Sequence, residues 1–219
     1  MKKLGIALLV LLVLAVGADR VADVAAQQLV ADSLEDSQQL DDRPDVNITG
    51  FPFLTQVAAG SFDRVEVDLD AVAFGDQGLE FSTLKLDFED VTRSGGQVSA
   101  ARGRGEGVIS FDALARYFEG TSFEYVDRDT VRVTASLTFP TEIEVSGTVD
   151  AALADRSIAL GGLSAEGDVP AGVVSAVEDL LAEGVALSGI PFSVNVESLS
   201  VQRDGVHLAL TGRDLSYAS

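Results

Sequence analysis

The sequence predicts an α+β fold, in which about three helices cover the apolar face of a mostly antiparallel sheet. Apolar and polar residues alternate over several stretches, among them 65–73, 131–139 and 143–151. A period of two residues is typical of strands with one buried face. Only one segment, 170–184, has a strong helical period. Strands therefore supply most of the predicted fold.

Residues 1–18 have the layout of a secretory signal peptide. Lys2 and Lys3 precede an uninterrupted apolar run, Leu4–Ala18, whose last residues are small. As a helix this run would be about 22 Å long, which is short of the roughly 30 Å hydrocarbon core of a bilayer. We expect cleavage near Ala18 and a single exported domain at 19–219. An uncleaved membrane anchor is the alternative, and it also implies export.

The domain begins with a predicted helix, Asp19–Leu40, which contains neither glycine nor proline and has a modest apolar stripe. The next stretch, Val46–Phe74, has two parts. The first is an apolar turn between Gly50 and Gly60, where Pro52 removes a backbone donor. A turn this apolar is expected to lie under another element or to line a cavity. The second part is a strand whose predicted buried face carries Val65, Val67, Leu69, Ala71 and Ala73.

The middle of the chain continues with a turn at 75–78 and a second half-buried strand at 84–88. The glycine-rich segment Val91–Gly107 is predicted to be a loose loop. Ser110 can then cap a short helix, Phe111–Phe118, because its hydroxyl can accept a hydrogen bond from the first turn.

Three strands and the strongest helix follow. The strands are predicted at 131–139, 143–151 and 158–160. The helix opens at Pro170, repeats apolar residues at helical spacing, and ends near Gly184, a residue type typical of helix C-termini.

The chain ends in a predicted hairpin, 194–210, that turns at Asp204-Gly205. Residues 188–192, SGIPF, also echo residues 49–53, TGFPF, and each follows a short apolar stretch. Two halves of similar build would suit a pseudo-symmetric fold, but so short an echo does not establish a repeat.

Composition excludes several classes of function. The formal net charge is −20, and removal of Lys2 and Lys3 makes it −22, so neither nucleic acid nor an anionic membrane surface is an electrostatic partner. The absence of cysteine excludes disulfides, thiolate metal sites and cysteine nucleophiles. The single histidine, His207, is predicted to face away from its inward-facing neighbours in the last strand. We predict no catalytic residue, no metal and no cofactor.

Two short runs carry a resemblance to a known family. The run GFPFLTQVAAG at Gly50–Gly60 resembles the opening of the LmeA-like phospholipid-binding family, exported proteins of actinobacterial envelopes. The run from Gly189 through Asp204 to Asp214 resembles the closing hairpin of that family. The likeness spans roughly residues 19–216. It implies a curved sheet wrapped on helices around an apolar lipid site, similar to tubular lipid-binding domains.

The resemblance makes the apolar residues of the turn and the helices candidates for lining a lipid groove. An acyl chain hides about 0.8 kcal/mol per methylene from water, so a bound lipid needs a continuous apolar surface. The same side chains could fill an ordinary core, and their pattern alone does not separate the two. The predicted groove residues are Phe51, Phe53, Leu54, Val57, Phe111, Leu114, Phe118, Val177, Leu181 and Phe192.

One stretch reverses the sign of the charge. Residues 91–105 contain Arg93, Arg102 and Arg104 and no acid. Guanidinium groups bind phosphate through two parallel hydrogen bonds, and glycines at 103, 105 and 107 would let a headgroup approach the backbone. These three arginines are the candidate headgroup ligands. The alternative is a solvated loop whose arginines pair with acids elsewhere.

The sequence therefore predicts a non-enzymatic protein, exported to the periplasm or cell envelope, that holds a phospholipid and supports envelope lipid or lipoglycan assembly. The expected partners are a phospholipid and a membrane surface, met transiently or through the N-terminal segment, and the oligomeric state stays open. The alternative is an envelope scaffold or adhesion module that binds no lipid. A third class is a hydrolase with a carboxylate pair, which would need two carboxyl groups facing one cleft.

Overall fold

The computed structural model describes residues 2–38, 40, 42–74, 79–139, 141–154, 157–187 and 194–218. These residues form four helices and eleven strands, which confirms the predicted α+β class. The helices are α1 (Lys2–Gln38), α2 (Phe53–Ala59), α3 (Phe111–Tyr117) and α4 (Ala171–Ala182). The strands are β1 (Asp45–Thr49), β2 (Ser61–Phe74), β3 (Leu79–Ser94), β4 (Gln97–Ser110), β5 (Thr121–Tyr125), β6 (Thr130–Phe139), β7 (Thr141–Ala154), β8 (Ser157–Ala165), β9 (Val185–Ala186), β10 (Asn195–Gln202) and β11 (Gly205–Ala218).

The strands form two sheets, with the orders β1-β2-β3-β4-β11-β10 and β5-β6-β7-β8-β9. Strand β1 lies at an edge of the first sheet and pairs antiparallel with β2 from Asp45↔Asp68 to Thr49↔Arg64. The closing hairpin is also confirmed, because β10 and β11 pair antiparallel around the turn before Gly205. Most sheet neighbours follow one another in sequence, so the chain builds each sheet by local pairing.

The chain divides into two compact units. One consists of Met1–Leu69, Lys85–Arg104 and Gly212–Ser219, and the other of Asp70–Leu84 and Gly105–Thr211. We call them unit 1 and unit 2. Strands β2, β3, β4 and β11 each have residues in both units. That 19–219 is one lipid-binding domain stays a prediction.

Helix α1 is longer than the sequence predicts. The predicted helix at Asp19–Leu40 is confirmed up to Gln38, but the helix already begins at Lys2 and continues without a break through Ala18. The face of α1 that packs within unit 1 carries the buried residues Asp19, Asp23 and Ala31. Within the described ranges, no helix combines the length and apolarity needed to cross a membrane.

The alternation predicted for β2 is confirmed only in part. Val67 and Leu69 are buried as expected, but Ala71 and Ala73 are exposed and Val72 is buried in their place. The reason is the backbone of Ala71, whose φ of 49° lies in the left-handed region. Such a residue shifts the two-residue alternation by one position. In β3 the predicted buried residues at 84, 86 and 88 are all buried.

The prediction of a loose loop at Val91–Gly107 is wrong. These residues form the end of β3, a turn at Gly95-Gly96 and most of β4. The glycines of β4 are strand residues that make room for packing. A Cβ added to Gly103 would lie 2.5 Å from Cδ1 of Leu215, and one added to Gly107 would lie 2.7 Å from Cε1 of Phe81. The glycines therefore accommodate the protein's own side chains.

Unit 2 contains the helices predicted most directly from the sequence. Ser110 caps α3 as expected, because its hydroxyl oxygen accepts a hydrogen bond from the backbone N–H of Ala113 at 3.1 Å. Helix α4 ends as predicted, with Gly184 in the left-handed region and its N–H bonded to the carbonyl of Leu181. Its inner face is formed by Val177 and Leu181, both fully enclosed.

Candidate functional site

Helix α2 was not predicted, because the run around Pro52 favours a turn. Pro52 is the N-cap and offers no side-chain hydrogen bond to the helix. The cap comes instead from α1, where the two carboxylate oxygens of Asp19 accept hydrogen bonds from the backbone N–H of Phe53 at 3.0 Å and of Leu54 at 2.8 Å. At the other end the backbone of Gly60 has a left-handed conformation, and its N–H donates a hydrogen bond to the carbonyl of Val57. A side chain distant in sequence thus satisfies the free amides at the start of α2.

Asp19 is buried, with only 3% of the residue exposed. The hydrogen bond from Leu54 is the largest influence that lowers the pKa of Asp19; burial opposes it, and the hydrogen bond from Phe53 and the charge of Arg20 lower the pKa further. Arg20 also lies within 3.3 Å of the carboxylate of the neighbouring buried Asp23. Both carboxylates of α1 at this place therefore have internal partners.

Helix α2 exposes apolar side chains. Phe53 and Gln56 point inward, and the Oε1 of Gln56 accepts a hydrogen bond from the N–H of Asp63. On the outer side Phe51 is 59% exposed, Leu54 46% and Val57 48%. Their spacing of three residues places them along one side of the helix and the residue that leads into it. We call these three residues the α2 apolar face.

A polar cleft with a volume of about 400 Å³ lies in unit 1. Its centre is Glu89, whose carboxylate meets Arg102 Nε at 2.7 Å, Arg64 Nη2 at 3.2 Å and Arg104 Nη1 at 3.6 Å. The hydrogen bond from Arg102 is the main cause that lowers the pKa of Glu89; burial acts against it, and the charges of Arg102, Arg104 and Arg64 add to the lowering. The cleft is lined by Thr49, Gly50, Asp63, Arg64, Glu66, Glu89, Asp90 and Arg102.

The three predicted headgroup arginines lie on the β3–β4 hairpin. Arg102 and Arg104 both pair with Glu89, and Arg102 also lies 3.6 Å from Asp90. Arg93 stands near the end of β3, where its backbone N–H donates to the carbonyl of Gly60. Their role toward a headgroup stays a prediction. The acid-free stretch begins at Val91, directly after Glu89 and Asp90, so these partners lay just outside the sequence window.

The predicted groove residues divide between the two units. In unit 1 Phe53 is buried, whereas Phe51, Leu54 and Val57 form the α2 apolar face. In unit 2 Leu114 and Phe118 of the α3 region are buried, Phe111 is half-buried, and Phe118 packs on Phe123 with ring centroids 5.9 Å apart. Val177 and Leu181 are enclosed, and Phe192 lies outside the described residues. The assignment of these residues to a lipid groove stays a prediction.

Residues that could support catalysis are few in the described chain. His207 faces away from the buried Val206 and Leu208, as predicted, and its Nε2 lies 2.8 Å from Asp204. That contact lowers the pKa of Asp204. Among the described carboxyl groups, the pKa values of Asp19, Glu89 and Asp204 are shifted, and each is lowered, whereas a glycosidase general acid needs a raised value. Among the described side chains, no group of three or more carboxylates and imidazoles could hold a metal ion.

The fold and these surfaces define an α+β protein of two mostly antiparallel sheets with an apolar helical face and a charged cleft. The model of the LmeA-like phospholipid-binding family matches residues 17–211. The chain belongs to this family, which confirms the resemblance drawn from Gly50–Gly60 and the closing hairpin. Neither the curated proteins nor the solved structures compared with the chain gave a match.

Proposed function

We propose that this protein binds a phospholipid, with the acyl chains held inside the fold, and catalyses no reaction. The match to a phospholipid-binding family over residues 17–211 is the observation that carries the proposal. The ion pairs of Glu89 with Arg64, Arg102 and Arg104 support the non-catalytic part, because they occupy the carboxylate that lies in the charged cleft.

We further propose that the protein is exported to the cell envelope and serves envelope lipid or lipoglycan assembly. The lysines at 2 and 3 and the apolar run Leu4–Ala18 support export. The run acts either as a signal peptide cleaved near Ala18 or as a retained anchor that keeps the domain at a membrane surface. The resemblance is what suggests periplasmic residence and an actinobacterial source.

Native mass spectrometry tests lipid binding most directly. Protein purified from a bacterial host in mild detergent is expected to carry an additional mass equal to one phospholipid, and solvent extraction should release that lipid. The intact mass of the extracted protein also shows whether residues 1–18 have been removed. Protein that is always lipid-free, and that stays so after incubation with phospholipid vesicles, would contradict the proposal and favour the scaffold alternative.

The prediction that arginines bind the headgroup is tested by two opposite changes: one removes the arginine charges, and the other removes the charge of Glu89. Replacement of Arg93, Arg102 and Arg104 together by Gln is expected to slow phospholipid uptake severalfold, because phosphate loses its guanidinium donors. The melting temperature should change little, because exposed ion pairs contribute little to stability. Uptake is measured with a fluorescent phospholipid at low salt.

Glu89→Gln is the matched variant for this test. It removes the charged carboxylate that Arg102 and Arg104 share, while Arg102 keeps its contact with Asp90, and it is expected to increase uptake of an anionic phospholipid. If the triple Gln variant takes up lipid as fast as the parent protein, the three arginines serve only to pair with acids.

A further inference from the structure

The start of helix α2 is hydrogen-bonded to the residue that directly follows the N-terminal apolar run. Asp19 is the first residue after Leu4–Ala18, and its carboxylate binds the first two amides of α2. Helix α2 therefore begins level with the end of the apolar run. The exposed Phe51, two residues before α2, lies beside the next residue of α1, since the guanidinium carbon of Arg20 is 5.0 Å from the centre of the Phe51 ring.

Exposed apolar residues of α1 lie on both sides of Asp19, the point at which α1 is bonded to α2. Before it, Leu12, Val13 and Leu14 are exposed, and after it Val21 and Val24 are exposed as well. Isolated exposed apolar residues are ordinary on a protein surface, but large side chains grouped on two bonded helices are not. These exposed residues continue the N-terminal apolar run, which has the layout of a segment that enters a membrane.

The charges at this junction suit the interface of a bilayer. The carboxylates of Asp19 and Asp23 are buried and bound within unit 1. The charged group that α1 presents beside Phe51 is the half-exposed guanidinium of Arg20. A cation on a long side chain can reach the headgroup region while its neighbours enter the apolar layer. The two acids of α1 at this place are therefore turned inward, and the cation of Arg20 is the charge that α1 presents there.

We propose that the α2 apolar face, Phe51, Leu54 and Val57, is the surface with which the full chain enters the interface of a phospholipid bilayer. Helix α2 begins level with the end of the N-terminal apolar run, and the hydrogen bonds of Asp19 fix that position in the chain that retains the run. The proposal rests on the proposed export for its setting, but its test does not require a bound lipid. It also gives these three exposed side chains a role other than lining a groove.

The absence of cysteine from the chain permits a direct test. Leu54→Cys and Val57→Cys are made singly in the full chain and labelled with a nitroxide. Val126→Cys, at a residue of unit 2 with 40% exposure, is the matched control. Accessibility to a water-soluble nickel complex and to oxygen is measured with and without phosphatidylcholine vesicles. Circular dichroism verifies that each labelled protein is folded.

Addition of vesicles is expected to lower nickel accessibility severalfold at 54 and 57, to raise oxygen accessibility there, and to leave 126 unchanged. Labels at 54 and 57 that remain as accessible to nickel as before would overturn the proposal, and so would a chain that does not bind the vesicles. Protection that arises without vesicles as protein concentration rises would overturn it in favour of a second copy of the chain. Protection by vesicles in a protein that never carries phospholipid would refute the proposed function and leave this inference standing.

Discussion

Replacement of Leu181 by Asp is expected to destabilise the protein by about 4 kcal/mol or more, and to abolish phospholipid uptake with the fold. Leu181 is 1% exposed and faces inward from α4 together with Val177. A carboxylate at this position loses its hydration and finds no cation among the apolar groups around it. Since a domain of this size is stable by only about 5–15 kcal/mol, much of its stability would be lost.

The effect is measured by urea unfolding at neutral pH, with Ala176→Asp as the control. Ala176 lies on the exposed side of the same helix, so the control adds the same charge to α4 without burying it. The control is expected to unfold within about 0.5 kcal/mol of the parent, as surface substitutions usually do. Equal midpoints for the two variants would show that Leu181 is not enclosed by apolar groups.

A second pair of measurements on this residue separates a core from a lipid groove. Leu181→Ala removes apolar volume and is expected to cost about 2–5 kcal/mol if the side chain only fills a core. If the side chain lines the lipid, bound phospholipid would cover the vacated space, and the lipid-loaded protein would lose less stability than the lipid-free protein.

The strands with one buried face were predictable because burial there follows the local alternation. Leu84, Leu86 and Phe88 are all buried as their spacing indicates. The alternation fails beyond Leu69, since the left-handed backbone of Ala71 moves Val72 to the inner side. An alanine carries no sequence signal for that conformation, which glycine adopts far more readily.

The β3–β4 hairpin was missed because glycine-rich composition is typical of loops. Gly103 belongs to a strand, and the reason for the glycine is Leu215, a residue from the end of the chain that lies over it. Likewise the partner of Arg102 and Arg104 is Glu89, which lies just outside the acid-free stretch. In both cases the deciding contact comes from a residue outside the local window.

Helix α2, which carries the candidate membrane surface, was also missed because its structure depends on a residue distant in sequence. Apolar residues at 51, 53, 54 and 57 predicted a buried cluster, but only Phe53 among them is buried. The helix is capped by Asp19, which lies 34 residues before Phe53. No capping residue near α2 in the sequence therefore indicates that a helix begins there. Hydrophobicity alone also does not show which residues of the helix face inward and which face outward.

The cap supplied by Asp19 leads to the last expected result. In the full chain, Asp19→Asn is expected to loosen α2 from α1, because an amide group turns one hydrogen-bond acceptor into a donor that faces a backbone N–H. Backbone amides of Phe53 and Leu54 should then exchange with solvent faster, on the order of tenfold, as expected for loss of a helix cap. Asp36→Asn, at an exposed position of α1, is the control.

The stability difference between wild type and Asp19→Asn should depend on pH, and that dependence identifies the Asp19 carboxylate as the cause. Hydrogen bonds hold the pKa of Asp19 below its ordinary value, so its stabilising contribution is complete above the pKa of the unfolded chain, about 3.9, and is lost as the pH falls through the folded value. The melting temperatures of wild type and Asp19→Asn should differ most near neutral pH and converge in acid, where the wild-type carboxyl group is also uncharged. A difference that stays constant down to the acid limit would mean that the cap acts without its charge. Because α2 carries Phe51, Leu54 and Val57, the same variant should also weaken their protection by vesicles, which links the buried carboxylate to the exposed apolar face.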